Sequence, residues 1–460
     1  MATSTHKTAK ADKARQPTKH AGGRDSGKRP GRLRRAWQVL GPGLVTGASD
    51  DDPSGIATYA QAGAKYRYGL LWTALITLPL MTAVQEICDR TALATGRSLG
   101  TLSREQFGRA ARTAIGVLLV ALVAANVLNI AADLVAVGSG MNLLHAGPAW
   151  IWALVAGAGI TALMLFGAFD LIARVFKLLC LALLSYVVVL FAADVPWSTV
   201  GRDTIAPHFS WSTDYLALLV AVLGTTISPY LFFWQTANRV EEMRREAEEK
   251  TGDDQPKPLS ERSHAAAKRK QRRARADVFT GMAFSNLVMF AIITATAATL
   301  GKGPGQDITS AAQAAQALKP VAGSAASAIF ALGFIGSGML AVPVLAGSGS
   351  AGLAGLLGKP WGLSKSVREA PAFYSLLAAG TVGGTLLTLT AVDPIKLLVL
   401  SATVNGIAAA PFLLVVMLIA GNRAIMGEHR NGKLAATLGW ITFAMMTAAA
   451  VAMIALIFIG

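Results

Sequence analysis

Apolar runs of roughly 18 or more residues recur along the chain, and short polar stretches separate them. Each run is long enough to cross roughly 30 Å of hydrocarbon as a helix. A helix pairs its own backbone groups, which a segment inside lipid requires. The pattern therefore predicts an all-α polytopic membrane protein with about 11 transmembrane helices, at 39–64, 70–94, 113–138, 148–167, 171–193, 215–238, 278–301, 326–356, 371–390, 394–420 and 434–459.

Composition agrees with a membrane protein, because only 15% of the residues are charged, against about 25% in soluble domains. The net charge of +16 is concentrated in two segments, 1–38 and 239–277, with eleven and twelve Lys and Arg residues. With a cytoplasmic N-terminus and eleven spans, both segments lie inside, as the positive-inside rule requires. We expect a multi-pass protein of a bacterial-type inner membrane, and this distribution argues against nucleic-acid binding.

Two predicted spans are interrupted by polar residues around a proline, and they lie five spans apart. The first contains GASDDDPSG at 47–55, and the sixth contains GTTISPY at 224–230. A matching pair of Gly- or Pro-interrupted segments indicates a transporter site near the bilayer midplane. We predict two inverted five-helix repeats in a transporter domain at 39–460: repeat one at about 39–193, repeat two at about 215–420, and an extra helix at 434–459. Residues 1–38 are predicted to be a disordered basic tail, and 239–277 a charged cytoplasmic loop.

Three consecutive carboxylates, Asp50, Asp51 and Asp52, lie in the first interruption. One carboxylate at mid-bilayer costs roughly 3 kcal/mol on insertion scales, so three in a row need a reason. Pro53 removes a backbone donor, and Gly55 tolerates unusual dihedral angles, so the helix should unwind and expose carbonyl oxygens. Carboxylates and carbonyls are ligands for hard cations such as Mg²⁺, Ca²⁺ or Mn²⁺. The alternative is that the span starts later and the Asp run is a solvated loop.

The sixth span offers a second set of oxygen ligands. Ser228-Pro229 should free carbonyls near Thr225 and present a hydroxyl, although Ser-Pro alone can also be a simple kink. Asn405, in the tenth span, either reaches this site or has a packing role. We therefore predict a metal site that draws on Asp51, Asp52, Gly55, Thr225, Ser228 and Asn405.

Motifs of catalysis are lacking in the sequence. It has no Walker motif, no HExxH and no Ser/His/Asp arrangement, and Cys88 and Cys180 form no metal or disulfide pattern. We expect no enzymatic activity, no cofactor and no obligate protein partner. Glu86 and Asp89, near the inner end of the second span, either line an exit or form salt bridges with Arg90 or Arg97.

The segment GPGLVTGASDDDPSGIATYAQAGAKYRYGLLW resembles the first span of the NRAMP family of divalent-metal transporters. The resemblance implies a LeuT-like fold and a site for Mn²⁺ or Fe²⁺. Asp52 matches the family's ligand Asp. Gly55 stands where the family has Asn, Ser228 where it has a ligand Met, and Tyr230 where it has His.

These departures resemble the NRAMP-related magnesium transporter branch. A thioether is a soft ligand, whereas Ser228 offers a hard oxygen. Mg²⁺ dehydrates reluctantly and usually keeps several waters, so the roomier cavity left by Gly55 suits it. We therefore expect Mg²⁺ transport, with Mn²⁺ as a further candidate substrate. The alternatives are a proton-coupled Mn²⁺/Fe²⁺ importer and a metal sensor that does not transport.

Proton coupling is not expected, because the titratable residues that the resemblance points to are replaced. Tyr230 and Ala136 stand where the family has His and Glu, and the ninth span contains no charged residue. Asp133 resembles the family's third-span Asp and shares a helix face with Asn126 and Asn129, which are equally suited to interhelical hydrogen bonds. Uptake should therefore be driven by the metal gradient and the membrane potential.

Overall fold

The structure, a computed structural model, describes residues 42–167, 169–192, 194–207, 209–252, 254–300, 326–389 and 394–459. These residues are mostly helical, and none of them lies in a β-strand. The basic tail predicted at 1–38 lies outside the described residues. The α-helices are α1 Pro42–Asp50, α2 Pro53–Tyr66, α3 Trp72–Thr95, α4 Leu99–Gln106, α5 Arg109–Leu143, α6 Ala149–Phe166, α7 Phe169–Ala192, α8 Trp197–Ile205, α9 Thr213–Thr226, α10 Pro229–Thr251, α11 His264–Leu300, α12 Ala326–Leu356, α13 Pro371–Leu387, α14 Pro394–Gly421, α15 Arg423–Met426 and α16 Lys433–Ile459.

Every predicted span coincides with a long helix or with a pair of helices that meet at a break. The first span is the pair α1 and α2, and the sixth is the pair α9 and α10. Seven helical segments in the described ranges are long and apolar enough to cross a membrane by length and composition alone. The first span is not among them, because its break divides it into pieces of 9 and 14 residues. The repeat boundaries stay a prediction.

The two broken helices pack against each other at the centre of the bundle. Helix α2 contacts α5, α9, α11 and α14, while α1 contacts α10 and α11. A large apolar core surrounds these contacts and includes aromatic side chains from both broken helices, among them Tyr59 and Phe232. The polar residues of the two breaks are therefore enclosed by the other helices.

Glycines bring α1 into backbone contact with α11. A Cβ atom at Gly43 would lie 2.6 Å from the backbone of Asp277, and a Cβ atom at Gly47 would overlap the backbone of Gly281. Close backbone approach at small residues is a common way for helices to associate in membranes. The position of α1, which ends in the Asp run, is therefore fixed by the absence of side chains at this crossing.

We expect Gly47→Ala to lower the melting temperature of the detergent-purified protein, because the backbone of Gly281 cannot move aside as a side chain could. Overpacking of this kind costs about 1–3 kcal/mol. Gly159→Ala in α6 is the matched control, since nothing lies within 4 Å of a Cβ atom there. Alanine is more favourable than glycine in a helix by about 1 kcal/mol, so this variant should not be less stable. Equal melting temperatures for Gly47→Ala and the unsubstituted protein would contradict this crossing.

A buried arginine ties three helices together at one end of the bundle. The Arg239 side chain, on α10, donates to Asp89 of α3 at 2.5 Å, to Asp277 of α11 at 3.2 Å, and to Glu242 on its own helix. Asp277 also accepts the backbone N–H of Gly43 at 2.9 Å, at the start of α1. This network therefore links the first half of the broken span to α3, α10 and α11.

The ion pairs of α3 confirm one prediction and correct another. Glu86 forms the predicted ion pair with Arg90. Asp89 pairs instead with Arg239, because α10 packs against α3 and brings the guanidinium to it.

The charged segment predicted at 239–277 is largely helical. It comprises the end of α10 and the start of α11. Lys270 of α11 pairs with Glu242 at 2.7 Å and with Glu246, both on α10, which holds the two helices together.

Candidate metal site

The first break leaves the Asp run inside the protein. Helix α1 ends at Asp50, and α2 begins at Pro53, so Asp51 and Asp52 form the connection. Asp50 and Asp51 are fully buried, and Asp52 is 1% exposed. The alternative of a solvated loop is therefore wrong.

Asp52 is the N-cap residue of α2. Its Oδ1 accepts the backbone N–H of Gly55 at 2.7 Å and the hydroxyl of Ser54 at 2.5 Å. These bonds satisfy donors at the start of the helix, as capping carboxylates commonly do. The other oxygen, Oδ2, lies 3.5 Å from the hydroxyl of Tyr230 on α10, and that hydroxyl donates to the carbonyl of Ser49 at 3.0 Å. One carboxylate oxygen of Asp52 is thus left on the side facing the second broken helix.

Asp50 and Asp51 turn toward a different helix. The hydroxyl of Ser285, on α11, donates to Oδ2 of Asp50 at 3.0 Å and lies 3.3 Å from Oδ1 of Asp51. Their remaining oxygens, Oδ1 of Asp50 and Oδ2 of Asp51, are buried and have no hydrogen-bond partner. The Asp run is therefore divided between two sides of the break. No group of three His, Cys, Asp or Glu side chains within the described ranges is placed to hold a metal ion.

The second interruption is a true break and not a simple kink. Helix α9 ends at Thr226 and α10 begins at Pro229, and Ser228 has an extended backbone conformation, with φ −78° and ψ 131°. The Ser228 hydroxyl lies 3.0 Å from the carbonyl of Gly224 and 2.9 Å from that of Thr225. The Ser228 hydroxyl therefore donates to carbonyls at the end of α9.

Contacts between α2 and α9 bring the two breaks together. A Cβ atom at Gly55 would lie 3.1 Å from Oγ1 of Thr225 and 3.4 Å from the carbonyl oxygen of Asp50. One turn along α2, the hydroxyl of Tyr59 is 3.2 Å from that of Thr226. The structure therefore places the predicted residues Asp52, Gly55, Thr225 and Ser228 in the two breaks, beside one another. Their role as metal ligands stays a prediction.

Asn405 lies next to the same region, on α14. It is buried, and neither its Oδ1 nor its Nδ2 has a hydrogen-bond partner. The adjacent Gly406 packs on Gly224 of α9, where a Cβ atom at Gly406 would lie 3.2 Å from the Cα of Gly224. An unpaired buried amide is costly, and Gly224 lies one turn before the second break. Whether Asn405 is a ligand or has a packing role stays a prediction.

A further carboxylate lies beside the first break. Asp133, on α5, is fully buried, and both of its carboxylate oxygens lack a hydrogen-bond partner. Gly338 of α12 lies between Asp133 and α2: a Cβ atom at Gly338 would be 2.9 Å from the Asp133 carbonyl and 3.4 Å from Pro53.

The two asparagines that precede Asp133 on α5 differ in their contacts. Asn126 makes the predicted interhelical hydrogen bond, to the carbonyl of Leu345 at 3.0 Å. Asn129 makes none through its side chain.

Sequence reasoning missed Ser285, which binds two of the three carboxylates. A single serine within an apolar span carries no signal of its own, and only the packing of α11 against α1 reveals its role.

The carboxylates of the site lack a basic partner among the described residues. In the part of the chain that the structure describes, no Lys or Arg side chain contacts Asp50, Asp51, Asp52 or Asp133, and three of these four residues have at least one buried oxygen without a partner. Buried charges are normally paired or coordinate metals. The arrangement is therefore suited to a mobile cation.

Comparison with known proteins decides the family. Residues 43–456 match the family described as natural resistance-associated macrophage protein-like, Nramp. The chain belongs to the Nramp family. Two curated relatives of this Nramp protein are named divalent metal cation transporter MntH. The one from Verminephrobacter eiseniae is 27% identical over 87% of this chain and 86% of the relative, and the one from Mycobacterium tuberculosis strain H37Rv is 26% identical over 90% of each.

Solved structures agree on the fold of this Nramp protein. The manganese transporter of Eremococcus coleocola superposes with a TM-score of 0.71 at 15% identity, covering 93% of this chain and 89% of that one. MhsT in complex with L-phenylalanine gives 0.54 at 14% identity, covering 91% and 98%. Both have the LeuT fold, so the predicted LeuT-like architecture is confirmed.

Proposed function

We propose that this Nramp protein transports a divalent metal ion through the two breaks, with Mg²⁺ as the preferred substrate and Mn²⁺ as a second one. The observation that carries the proposal is the set of buried carboxylates at and beside the first break, none of which has a basic partner among the described residues. Asp50, Asp51 and Asp133 each have at least one oxygen without a hydrogen-bond partner. The family and the names of the curated relatives support divalent metal transport.

Asp52 is assigned as the dominant ligand. Its Oδ2 faces the second broken helix, whereas Oδ1 is held by the start of α2. Thr225, Ser228 and Asn405 contribute oxygens from the opposite side, and Asp51 adds negative charge close by. Gly55 lets the two breaks approach closely, since even a Cβ atom there would be in tight contact with Oγ1 of Thr225.

The preference for Mg²⁺ rests on the donor atoms at the breaks. All the assigned donors are oxygens, and Ser228 provides no thioether that would favour a softer metal. The carboxylates also diverge, because Asp50 and Asp51 face α11 and Asp52 faces α10. A site with one or two carboxylates suits Mg²⁺, which retains several waters.

We also propose that uptake is not coupled to protons. The hydroxyl of Tyr230, whose ordinary pKa is about 10, donates a hydrogen bond to the Ser49 carbonyl, and Ala136 has no titratable group. Helix α13 contains no charged residue. Two charges moving inward at roughly −100 mV gain about 4.6 kcal/mol, enough for accumulation without a proton.

The second candidate is a proton-coupled Mn²⁺/Fe²⁺ importer, and Asp133 favours it. This carboxylate is buried, unpartnered and close to the first break, as a proton carrier would be. A single carboxylate without a titratable partner makes a poor relay, which is why the uncoupled mechanism is preferred.

The orientation belongs to the same proposal. The basic segments at 1–38 and 239–277 support a cytoplasmic N-terminus in a bacterial-type inner membrane. The network around Arg239 then lies at the cytoplasmic end of the bundle.

Substitution of Ser228 by Met tests the metal preference. We expect Ser228→Met to shift uptake from Mg²⁺ toward Mn²⁺ by roughly tenfold, about 1.4 kcal/mol, because a soft ligand replaces a hard one. The measurement is Mg²⁺ inhibition of Mn²⁺ uptake into proteoliposomes. Ser228→Leu is the control, because it adds similar bulk without sulfur and should weaken transport of both ions alike. If millimolar Mg²⁺ leaves Mn²⁺ uptake by the unsubstituted protein unchanged, the proposed preference is refuted.

A further inference from the structure

A groove on the outside of the bundle, away from the metal site, runs between α4, α5 and α12. Its volume is about 630 Å³. Two arginines, Arg104 and Arg112, line one part of it together with Thr113. Apolar side chains line the rest, among them Val117, Val120 and Leu353.

The groove opens at the same end of the bundle as the network around Arg239. The backbone N–H of Leu99, at the start of α4, donates to the hydroxyl of Thr236 on α10 at 3.2 Å. Gly100 packs on the backbone of Gly352 near the end of α12. Helix α4 therefore lies beside the charged part of α10, at the level where a membrane protein meets the lipid headgroups.

The two arginines are not neutralised by neighbours in the described part of the chain. Glu105 is adjacent to Arg104, but it pairs with Arg97 at 2.5 Å. The Arg104 guanidinium instead packs on the backbone at Gly358, just after α12. Arg112 is half-buried and has no ion pair within the described ranges. The headgroup end of the groove is therefore positively charged.

The remaining wall is apolar and exposed. Val117 is 66% exposed and Val120 57%, which places these side chains against lipid in a membrane. From Arg112 to Val120 the helix rises about 12 Å, most of the roughly 15 Å of one leaflet. Charge and apolar surface are thus separated along the groove as they are along a phospholipid.

We propose that this groove binds an anionic phospholipid. Arg104 and Arg112 hold the phosphate and its charged headgroup through charge-assisted hydrogen bonds, and an acyl chain lies along α5 against the valines. Basic pockets between membrane helices on the cytoplasmic side bind anionic headgroups in this way. The proposal is independent of the metal that is transported.

Native mass spectrometry of the full-length protein in detergent, with equal amounts of phosphatidylglycerol and phosphatidylcholine, tests this site. We expect phosphatidylglycerol to bind roughly tenfold more tightly, about 1.4 kcal/mol. Arg104→Gln and Arg112→Gln should each reduce the preference, and the double variant should abolish it. Arg109→Gln is the control, because Arg109 is exposed at the start of α5 and does not line the groove. Melting temperatures establish that each variant is folded.

Three results would overturn the proposal. The first is equal binding of the two lipids by the unsubstituted protein. The second is an unchanged preference in the double variant, or an equal loss in Arg109→Gln, which would reduce the effect to general surface charge. The third is displacement of phosphatidylglycerol by millimolar inorganic phosphate, which would identify a phosphate site and not a lipid site.

Discussion

Replacement of Asp52 by alanine is expected to abolish metal uptake into proteoliposomes while leaving the protein folded. Asp52 is the carboxylate whose Oδ2 faces the second broken helix, where its contact is the Tyr230 hydroxyl at 3.5 Å, and no described residue supplies a second carboxylate at that position. Alanine also removes the N-cap of α2, at a cost of about 0.5–2 kcal/mol. Asp52→Asn separates the two effects, because an amide oxygen can still accept the N–H of Gly55 but carries no charge. Uptake should be lost in both variants, whereas stability should fall mainly in the alanine variant.

The control for Asp52 is a carboxylate that has no part in the site. The side chain of Asp214 is 70% exposed and pairs with Lys65 at 3.1 Å. Exposed pairs contribute about 0–1 kcal/mol, so Asp214→Ala should transport normally. Near-normal uptake by Asp52→Ala or Asp52→Asn would remove Asp52 from the site.

Arg239→Ala is expected to have the largest effect on stability. Loss of the guanidinium leaves Asp89 buried without its positive partner, with Glu242 and Asp277 nearby. Breaking a buried ion pair from one side costs about 3–5 kcal/mol. The melting temperature should fall sharply, and Arg239→Lys should recover only part of the loss because a single ammonium cannot replace the guanidinium fork.

Arg202→Ala provides the comparison for Arg239. The Arg202 side chain is 69% exposed and pairs only with the neighbouring Asp203 among the described contacts, so its removal should leave the melting temperature nearly unchanged. An equally small effect at Arg239 would show that the network does not hold α1, α3, α10 and α11 together.

The two breaks could be predicted from the sequence because their causes are local. Pro53 and Pro229 each start a new helix, and the Asp run could not remain in an apolar span without a structural reason. Because the two breaks lie five spans apart, the two broken helices could be expected to form one site together. The same local reasoning identified the spans on either side.

The directions of the carboxylates could not be predicted in this way. Whether Asp51 faces α10 or α11 depends on the backbone angles of two residues within the break and on Ser285, which lies more than two hundred positions away in the chain. The partner of Asp89 shows the same limit. Arg90 and Arg97 are near in sequence, but Arg239, which is 150 positions away, is the residue that packs against it.

Passage of Mg²⁺ through the two breaks without a proton can be tested in proteoliposomes that contain the protein and a pH dye. Mg²⁺, Mn²⁺, Fe²⁺ or Ca²⁺ is offered with the membrane potential clamped, and metal entry is recorded in parallel with internal pH. We predict that Mg²⁺ enters, that Mn²⁺ enters as a second substrate, and that the internal pH stays constant. Exclusion of Mg²⁺, or metal-dependent acidification that persists at the clamped potential, would contradict the account and favour a proton-coupled importer of transition metals.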